Sequence, residues 1–284
     1  MPESPEVQAL VEELGAQLTG RTITDVDVIE FRVTKTRALP LSTLVGAQVT
    51  GAVRHGKLVD LGFGPTHLVV SLGRHGWARW ADGAAAPSGT DDAEPPPPAL
   101  AAITFDDGRT LEFTDAGNFV SLGAWVVDDP FEVPAVAKLG PDPAAPGFSR
   151  ADFDAAMLGR RKQVKAVLQE QESLAGVGNA YSDEILHAAK VSPVVHAAAL
   201  AADERDRLFD ETVGTIASAI DARRGIPIDR LKADKVAAMR VHGRAGEPCP
   251  RCGDTIRDFT FGSTIAQYCP TCQTDGAVLP LKEA

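Results

Sequence analysis

The chain has 284 residues and a formal net charge of −11, and 44% of its residues are hydrophobic and 24% charged. This composition is typical of a soluble globular protein large enough for two domains. No apolar run approaches the roughly 20 residues of a membrane helix. The acidic start is unlike a signal peptide, so we expect a cytoplasmic protein without a membrane partner. The negative charge argues against nucleic acid as a partner, unless basic residues cluster on one surface.

The first seven residues carry a chemical signal. Removal of the initiator Met1 would leave Pro2 as the N-terminus. An α-amine titrates near pH ~7.7–8.0, so a terminal proline is partly deprotonated and nucleophilic at neutral pH. Its attack on a carbonyl carbon gives an iminium, which is an electron sink, and the adjacent Glu3 could move protons. In the alternative interpretation, Pro2 and Pro5 only frame the start of a helix, with Glu6 near its positive end.

The apolar pattern predicts one helix followed by about eight short strands. Apolar side chains recur at helical spacing over residues 6–18. The strand-like segments are 22–36, 47–63, 67–72, 77–80, 100–105, 110–113 and 119–127, with Asp107-Gly108 as a hairpin turn. Residues 81–98, rich in Ala, Gly, Asp and Pro, are predicted to be a flexible surface insertion. We expect a β-sandwich with a leading helix as the first domain, residues 1–130.

A proline-rich linker at 131–148 leads into a region of helical pattern. Helices are predicted at 149–168, with an interruption near Gly159, and at 179–189 and 197–222. The glycine-bearing turn at 174–178 would join two of them as a helix-turn-helix, and the amides at the second helix start suit a phosphate. Many helical hairpins bind nothing, which is the alternative. We predict a helical domain at 149–244.

Basic residues stand on both sides of this turn. They are Arg160, Arg161, Lys162 and Lys165 before it, and Arg223, Arg224, Arg230, Lys232, Lys235, Arg240 and Arg244 after it. In an acidic chain, this placement predicts a basic face for an anionic partner. The alternative is an ordinary solvated helix surface.

The cysteines form the most specific pattern of the chain. The pairs Cys249-x2-Cys252 and Cys269-x2-Cys272 are separated by sixteen residues, which is the spacing of a four-cysteine zinc site. Two disulfides are the alternative, disfavoured in a reducing cytosol. Four protein ligands leave no open position for a catalytic water. We therefore predict one structural zinc in a finger at 245–284, with a β-hairpin between the pairs.

Five motifs follow one another in a recognisable order along the chain. They are Pro2-Glu3 with Pro5-Glu6, Arg54-His55-Gly56-Lys57, Leu139-Gly140-Pro141, the stretch from Leu174 to Leu186, and the finger ending Cys272-Gln273. Together they resemble the formamidopyrimidine-DNA glycosylase/endonuclease VIII family over nearly the whole chain. The resemblance implies an α+β multidomain protein. Its parts would be a β-sandwich with a leading helix, a helix-two-turn-helix domain and a C-terminal zinc finger.

The resemblance also implies a bifunctional DNA glycosylase of base excision repair with β,δ-lyase activity. Pro2 would attack C1′ of the damaged nucleotide and hold the sugar as an iminium, while Glu3 shuttles protons. Lys57 and Asn179 match family residues that grip phosphates around the flipped nucleotide, and Lys57 is grouped with the catalytic residues. Glu6 matches an active-site carboxylate and is grouped with the predicted DNA-binding residues, which also include Arg74, Phe119, Asn179 and Thr264. Base flipping is required because C1′ cannot react inside the base stack.

The same resemblance sets the expected partner and cofactor. The partner is damaged double-stranded DNA, bound by a monomer in a bacterial-type cytosol in association with the nucleoid. The cofactor is the single structural zinc.

Three departures from the family bear on the choice of base. Family fingers usually carry an arginine five residues before the third cysteine, where this chain has Thr264. Members specific for oxidised purines fill the gap left by the flipped base with Met, Arg and Phe. Here Arg74 replaces the Met, and only Phe119 of the other two remains. The stretch 225–244 is short, which trims the loop that covers an oxidised guanine. We expect an oxidised or deaminated pyrimidine such as uracil, or an abasic site, rather than 8-oxoguanine.

Two other classes of function are compatible with parts of the pattern. A damaged-DNA-binding protein of the same fold, without turnover, is favoured by Thr264. The intact Pro2, Glu3, Lys57 and Asn179 argue against it, because a binder needs no N-terminal amine. A zinc-stabilised protein-interaction module is favoured by the net charge of −11. Salt-dependent binding to abasic DNA would separate these classes.

Overall fold

A computed structural model describes residues 1–81 and 96–281 of the chain. Its residues fall into two compact units. Unit 1 comprises Met1–Lys138 and Arg223–Lys232, and unit 2 comprises Leu139–Ala222 and Ala233–Ala284. The predicted insertion at 81–98 lies mostly outside the described residues. The bounds of the four segments predicted from the sequence stay a prediction.

Unit 1 begins with helix α1 (Ser4–Leu18), whose N-cap is Glu3. A reciprocal capping box closes its first turn, because Glu3 accepts from the backbone of Glu6 while Glu6 accepts from the backbone of Glu3. This arrangement satisfies amides that a helix start otherwise leaves unpaired. The apolar face of α1 is buried in the core of the unit. The helix start is therefore fixed both by its cap and by packing behind it.

Eight antiparallel strands form the rest of unit 1. They are β1 (Ile23–Asp27), β2 (Gly51–His55), β3 (Leu58–Phe63), β4 (Thr66–Ser71), β5 (Gly76–Trp80), β6 (Ala99–Phe105), β7 (Thr110–Asp115) and β8 (Gly123–Val127). One sheet has the order β1-β6-β7-β5 and the other β2-β3-β4-β8. Side chains from both sheets and α1 share one buried core. The sandwich with a leading helix is as the sequence predicted.

Two predicted strands are shorter than expected, because side chains replace the neighbouring strand as hydrogen-bond partners of the backbone. Strand β1 ends at Asp27, and 3-10 helices follow at Phe31–Val33 and Leu41–Leu44. In the other segment, residues 119–122 are not in a strand. There the carboxylate of Asp115 accepts from the backbone N–H groups of Gly117, Ser121 and Leu122. These amides bond to a carboxylate instead of a neighbouring strand, as aspartate commonly arranges in loops. Unit 1 also contains a 3-10 helix at Pro130–Glu132 and the short helix α2 (Pro134–Ala137).

Unit 2 contains a group of helices and the finger. The elements are α3 (Arg150–Met157), α4 (Val164–Gln169), α5 (Asn179–Ala189), a 3-10 helix at Ala197–Ala199, most of α6 (Ala202–Arg223), the end of α7 (Ile228–Ala238), β9 (Arg257–Phe261), β10 (Thr264–Tyr268) and α8 (Pro270–Gln273). Ser149 caps α3 in a capping box with Asp152, and Gly159 at φ +72° separates α3 from α4. The predicted helix 179–189 is α5, and β9 and β10 pair as the predicted hairpin. Among the described residues, no helix is long and apolar enough to cross a membrane.

The sequence pattern does not predict helix α7 and instead indicates a shortened loop after Gly225. In the structure, Ile228 and Leu231 bury their side chains in the core of unit 1. Their spacing of three residues suits one face of a helix. Only two apolar residues of this face are buried, and two residues at helical spacing are too few to predict a helix from the sequence.

The predicted basic face is wrong for several of its residues. Lys165 is fully buried, with Nζ 2.6 Å from Asp183 Oδ1 and 2.7 Å from Ser182 Oγ. Arg160 and Lys162 both pair with the carboxylate of Glu170. These three positive charges are therefore neutralised by nearby carboxylates and do not add to a basic surface.

Asp183 and Glu184, on α5, bind the segment that leads into the finger. Asp183 Oδ2 lies 2.7 Å from His242 Nδ1 and accepts from the backbone of Gln267 at 3.2 Å. The carboxylate of Glu184 accepts from the backbone N–H groups of three successive residues, Arg240 to His242. Two adjacent carboxylates therefore tie α5 to two parts of the same unit.

Replacing Lys165 with methionine should destabilise unit 2 strongly. The change leaves the Asp183 carboxylate buried without its cation, and breaking such a pair costs about 3–5 kcal/mol. The free energy of unfolding from urea denaturation measures the loss. Arg207→Met is the control, because Arg207 forms an exposed i,i+4 pair with Asp203 worth about 0.5 kcal/mol or less. Equal losses in the two variants would contradict the prediction.

Candidate active site and metal centre

The N-terminal residues of unit 1 are buried although they lie at the end of the chain. Pro2 is buried, Glu3 is 2% exposed and Glu6 is 1% exposed. Glu6 Oε2 accepts from Glu3 N at 3.0 Å. Since Glu3 is the N-cap, in an extended conformation, its backbone sets where the nitrogen of Pro2 lies. The structure thus brings three of the predicted site residues together at the start of α1.

Arg223 also lies at this site, although its position in the sequence predicts a place on a basic surface. Arg223 is 1% exposed, and its Nε is 2.8 Å from Glu6 Oε1. A buried carboxylate requires such a counter-charge. No local pattern could have revealed the pair, because its members stand far apart in the sequence.

Lys57 lies in the turn between β2 and β3 and is half-buried. The turn requires Gly56, which has φ +56°. Arg54 donates from Nη1 to the carbonyl of Gly56 at 2.8 Å and from Nε to Gln8 Oε1 at 3.0 Å. Because Gln8 belongs to α1, this arginine ties the turn that carries Lys57 to the helix that begins beside Pro2.

Arg74 and Phe119 lie on two loops that contact each other. Both side chains are exposed, and Phe119 is 85% exposed. The backbone N–H of Arg74 donates to Ser121 Oγ at 2.9 Å. Gly73 must be glycine, because its φ is +61° and a Cβ there would lie 2.4 Å from the carbonyl oxygen of Ser121. An exposed guanidinium and an exposed aromatic ring are therefore presented by one joined pair of loops.

In unit 2, Asn179 joins the helical turn to the finger. It is the first residue of α5, and its Oδ1 accepts from Gln169 Nε2 at 3.2 Å. Its Nδ2 donates to the carbonyl of Ile265 at 3.1 Å. With Oδ1 held by a donor, the amide nitrogen points to the finger, and it retains a second N–H for another acceptor.

Thr264 is exposed at the tip of the finger hairpin. Its Oγ1 donates to the carbonyl of Phe261 at 3.0 Å, so the hydroxyl closes the turn. Because Ile265 follows it directly, Thr264 lies next to the contact that Asn179 makes. These two predicted DNA-binding residues are neighbours within unit 2, whereas Pro2, Glu3, Glu6 and Lys57 belong to unit 1.

The four cysteines form one cluster with the geometry of a zinc site. Their Sγ atoms all lie within 4.8 Å of one another, with 3.9 Å between Cys249 and Cys272 and 3.4 Å between Cys252 and Cys269. Tetrahedral zinc with bonds of 2.3 Å to sulfur requires sulfur–sulfur distances of about 3.8 Å. The donor set and spacing fit one zinc ion. Its four thiolates leave no position for substrate, so the metal is structural.

The metal centre has a histidine neighbour that sequence reasoning missed. His187 Nε2 lies 3.1 Å from Cys249 Sγ, and the side chain is buried. Burial lowers the pKa of His187 to about 4, helped by the charges of Arg240 and Arg251. A neutral imidazole with its proton on Nε2 donates to the sulfur, as outer-shell donors commonly do at zinc sites. Because His187 is on α5, the helix that begins at Asn179 also contacts the metal centre.

Three protein-family models match successive parts of the chain. They are the formamidopyrimidine-DNA glycosylase N-terminal domain over residues 1–122, the H2TH domain of the same enzymes over 139–229, and the zinc finger found in FPG and IleRS over 246–274. Together they span both units.

Whole proteins match as well. The chain is 33% identical to the formamidopyrimidine-DNA glycosylase of Laribacter hongkongensis over 280 residues, which is 96% of this chain and all of the relative. The Lactococcus lactis enzyme, in a crystal structure bound non-covalently to DNA containing an AP site, is 25% identical with a TM-score of 0.79. That match covers 96% of this chain and 99% of the other. The Lactococcus lactis enzyme in complex with DNA containing an oxidised pyrimidine gives 26% identity and a TM-score of 0.81, covering 96% and 100%.

Replacing Cys249 or Cys272 with serine should remove the zinc and weaken DNA binding more than it destabilises unit 1. Unit 1 has its own core, whereas the finger depends on the metal for its fold. Metal analysis should give one zinc per chain for the natural protein and none for the variants. Thr271→Ala is the control, since Thr271 lies between two ligands and should leave the metal in place. Carefully prepared protein without zinc that still binds DNA normally would refute this role.

Proposed function

The chain belongs to the formamidopyrimidine-DNA glycosylase family, and from this we propose that it removes damaged bases with Pro2 as its nucleophile. At the level of the family it is a DNA glycosylase of base excision repair with one structural zinc. The single observation that carries the finer proposal is the buried capping box. The side chains of Glu3 and Glu6 each accept a hydrogen bond from the other residue's backbone N–H, immediately after Pro2 in the chain. A free proline amine would therefore be attached to a fixed segment of backbone.

The chemistry follows from a secondary amine beside a carboxylate. The nitrogen of Pro2 attacks C1′, the bond from C1′ to the base breaks, and the base leaves with a proton. The ring of the sugar opens to an iminium on Pro2, which makes the C2′ hydrogens acidic. Loss of one of them expels the 3′ phosphate in β-elimination, and a second elimination expels the 5′ phosphate. In this proposal Glu3 carries the protons, because general acid–base catalysis needs a group near the reacting atoms and Glu3 is the residue bonded to Pro2.

Both units supply groups for the DNA backbone. In unit 1, Lys57 provides a positive charge on a turn tied to α1. In unit 2, Asn179 stands at the start of α5, where backbone amides and the helix dipole favour an anion. We propose that these two residues grip phosphates beside the flipped nucleotide, in damaged double-stranded DNA bound by a monomer. This would take place at the nucleoid of a bacterial-type cytosol.

The gap left by a flipped base needs filling side chains. Phe119 and Arg74 are exposed on joined loops, and a flat ring can stack on the neighbouring bases. Arg74 offers hydrogen bonds where an apolar wedge would offer only packing. We propose that this pair replaces the filling set of the family members that act on oxidised purines.

The proposed lesion is smaller than 8-oxoguanine. The stretch after Gly225 folds as α7 and buries Ile228 and Leu231. Less of this stretch is therefore available to form a loop that covers the base. The Lactococcus lactis enzyme has been crystallised with DNA containing an oxidised pyrimidine, so a related fold accommodates such a lesion. We propose oxidised or deaminated pyrimidines, or abasic sites, as the substrates.

A damage-binding protein without turnover is the second candidate. Thr264 favours it, because an exposed threonine at the hairpin tip carries no charge for a phosphate. The intact buried support behind Pro2 favours the enzyme. Covalent trapping separates the two, since only a nucleophile forms an adduct.

Borohydride should trap the protein covalently on duplex DNA that contains an abasic site. Reduction converts the iminium into a stable amine, so the adduct reports the nucleophile directly. Pro2→Gly, or a tag retained before Pro2, should abolish the adduct. A tag at the C-terminus is the matched control. A protein with an N-terminal tag and full activity would point to an internal lysine instead.

Thr264→Arg should raise DNA affinity without changing the preferred base. The added guanidinium contacts a phosphate, and phosphate contacts position while base contacts specify. A panel of duplexes and single strands, each with one lesion, should be scored separately for base release and strand cleavage. Thr264→Lys tests whether charge alone is enough. Release of 8-oxoguanine opposite cytosine faster than any pyrimidine lesion would show that the pocket is misassigned.

A further inference from the structure

Arg223 is a buried arginine at the last position of α6. It is 1% exposed, and the segment Arg223–Lys232 belongs to unit 1, together with the N-terminus. Its guanidinium contacts Glu6, whose carboxylate has a second role. A fully buried arginine is rare and needs a reason.

The two oxygens of the Glu6 carboxylate serve two different partners. Oε1 lies 2.8 Å from Arg223 Nε, and Oε2 accepts from Glu3 N at 3.0 Å. Glu3 is bonded to Pro2. A continuous path of two contacts and one peptide bond therefore runs from the end of α6 to the proposed nucleophile.

We propose that Arg223 is a positioning residue for the N-terminal amine, acting through Glu6. The inference rests on the proposed function of Pro2. Chain ends are mobile unless they are tied down. Once Met1 is removed, Glu3 is the one covalent neighbour of Pro2. The capping bond from Glu3 N to Glu6 limits the motion of that side.

The guanidinium is needed because the carboxylate is buried. Without a counter-charge, a buried carboxylate gains by turning toward water or by taking up a proton. Either response would weaken the bond that Glu6 Oε2 accepts from Glu3. The start of α1 would fray, and the amine would lose its orientation toward C1′. A misplacement on the scale of 1 Å can cost up to about a hundredfold in rate.

The neighbouring arginine offers a matched comparison. Arg224 also pairs with α1, with Nε 3.3 Å from Glu12 Oε2, but its side chain is 58% exposed. Glu12 lies in the middle of α1 and takes no part in the capping box. Loss of Arg224 therefore removes a similar charge from the adjacent position, together with a contact to a carboxylate outside the capping box.

The experiment compares Arg223→Met, Arg223→Gln, Arg223→Lys and Arg224→Met in the full chain with Met1 removed. Three quantities are measured for each variant. They are the dissociation constant for duplex DNA with a tetrahydrofuran abasic analogue, the rate of borohydride trapping at saturating abasic DNA, and hydrogen exchange of the peptide 1–10 in the free protein. Circular dichroism and thermal melting identify the variants that fold. If Arg223→Met does not fold, Arg223→Gln carries the test, because it removes the charge and keeps an N–H donor at the position of Arg223 Nε.

For the neutral variants, we expect the trapping rate at saturation to fall about tenfold or more. The dissociation constant should stay within about twofold, because the change acts on orientation rather than on a DNA contact. Hydrogen exchange of the peptide 1–10 should become faster. Arg223→Lys should restore most of the rate, and Arg224→Met should leave hydrogen exchange of the peptide 1–10 as in the natural protein.

A folded Arg223→Gln with natural exchange and trapping would overturn the inference. A fall in DNA affinity alone would also overturn it, because that would make Arg223 a binding residue. If the natural protein forms no adduct, the proposed function fails instead. Hydrogen exchange then still decides whether Arg223 fixes the N-terminus.

Discussion

The carboxylate of Glu6 is the interaction on which the proposed active site depends. A nucleophile at a chain end has only one covalent neighbour, so its position must come from contacts of the residues that follow it. Here one buried carboxylate accepts from Glu3 on one side and pairs with Arg223 on the other. The packed face of α1 then connects this support to the core of the sandwich. On the proposed function, the need to order a terminus accounts for the burial of charged groups at this site.

Unit 2 also contains buried carboxylates that order the chain, and there they join a helix to the finger. Asp183 and Glu184 are buried on α5, and between them they hold Lys165, His242 and three successive backbone amides. Such groups are costly to bury unless each finds its partner, so their satisfaction fixes one arrangement of helix and finger within the unit. The acidic overall charge does not conflict with a DNA partner on this view. Several of the basic residues form internal pairs, and the proposed binding uses a few placed groups rather than a charged surface.

Features with a local cause could be predicted from the sequence. The period of apolar residues gave α1 and α5, Ser149 marked the start of α3, and the cysteine spacing gave the metal site. Features that depend on distant partners could not. The burial of Lys165 and Arg223 depends on acids elsewhere in the chain, and the loop before β8 follows from what Asp115 binds. A basic residue looks the same in sequence whether it faces water or a buried carboxylate. The candidate catalytic residues were found through short motifs, whereas the arginine that supports them has no such signature.

Helix α5 has a mechanical consequence. Asn179 begins the helix and His187 lies eight residues later, which is about 12 Å along its axis. The first residue holds the amide proposed for a phosphate, and the second contacts a zinc thiolate. Because an α-helix of this length is stiff, a tilt at the end that contacts the metal centre also reorients its first residue. If Asn179 binds a phosphate as proposed, the zinc thereby orients a group about two helical turns away from the metal centre.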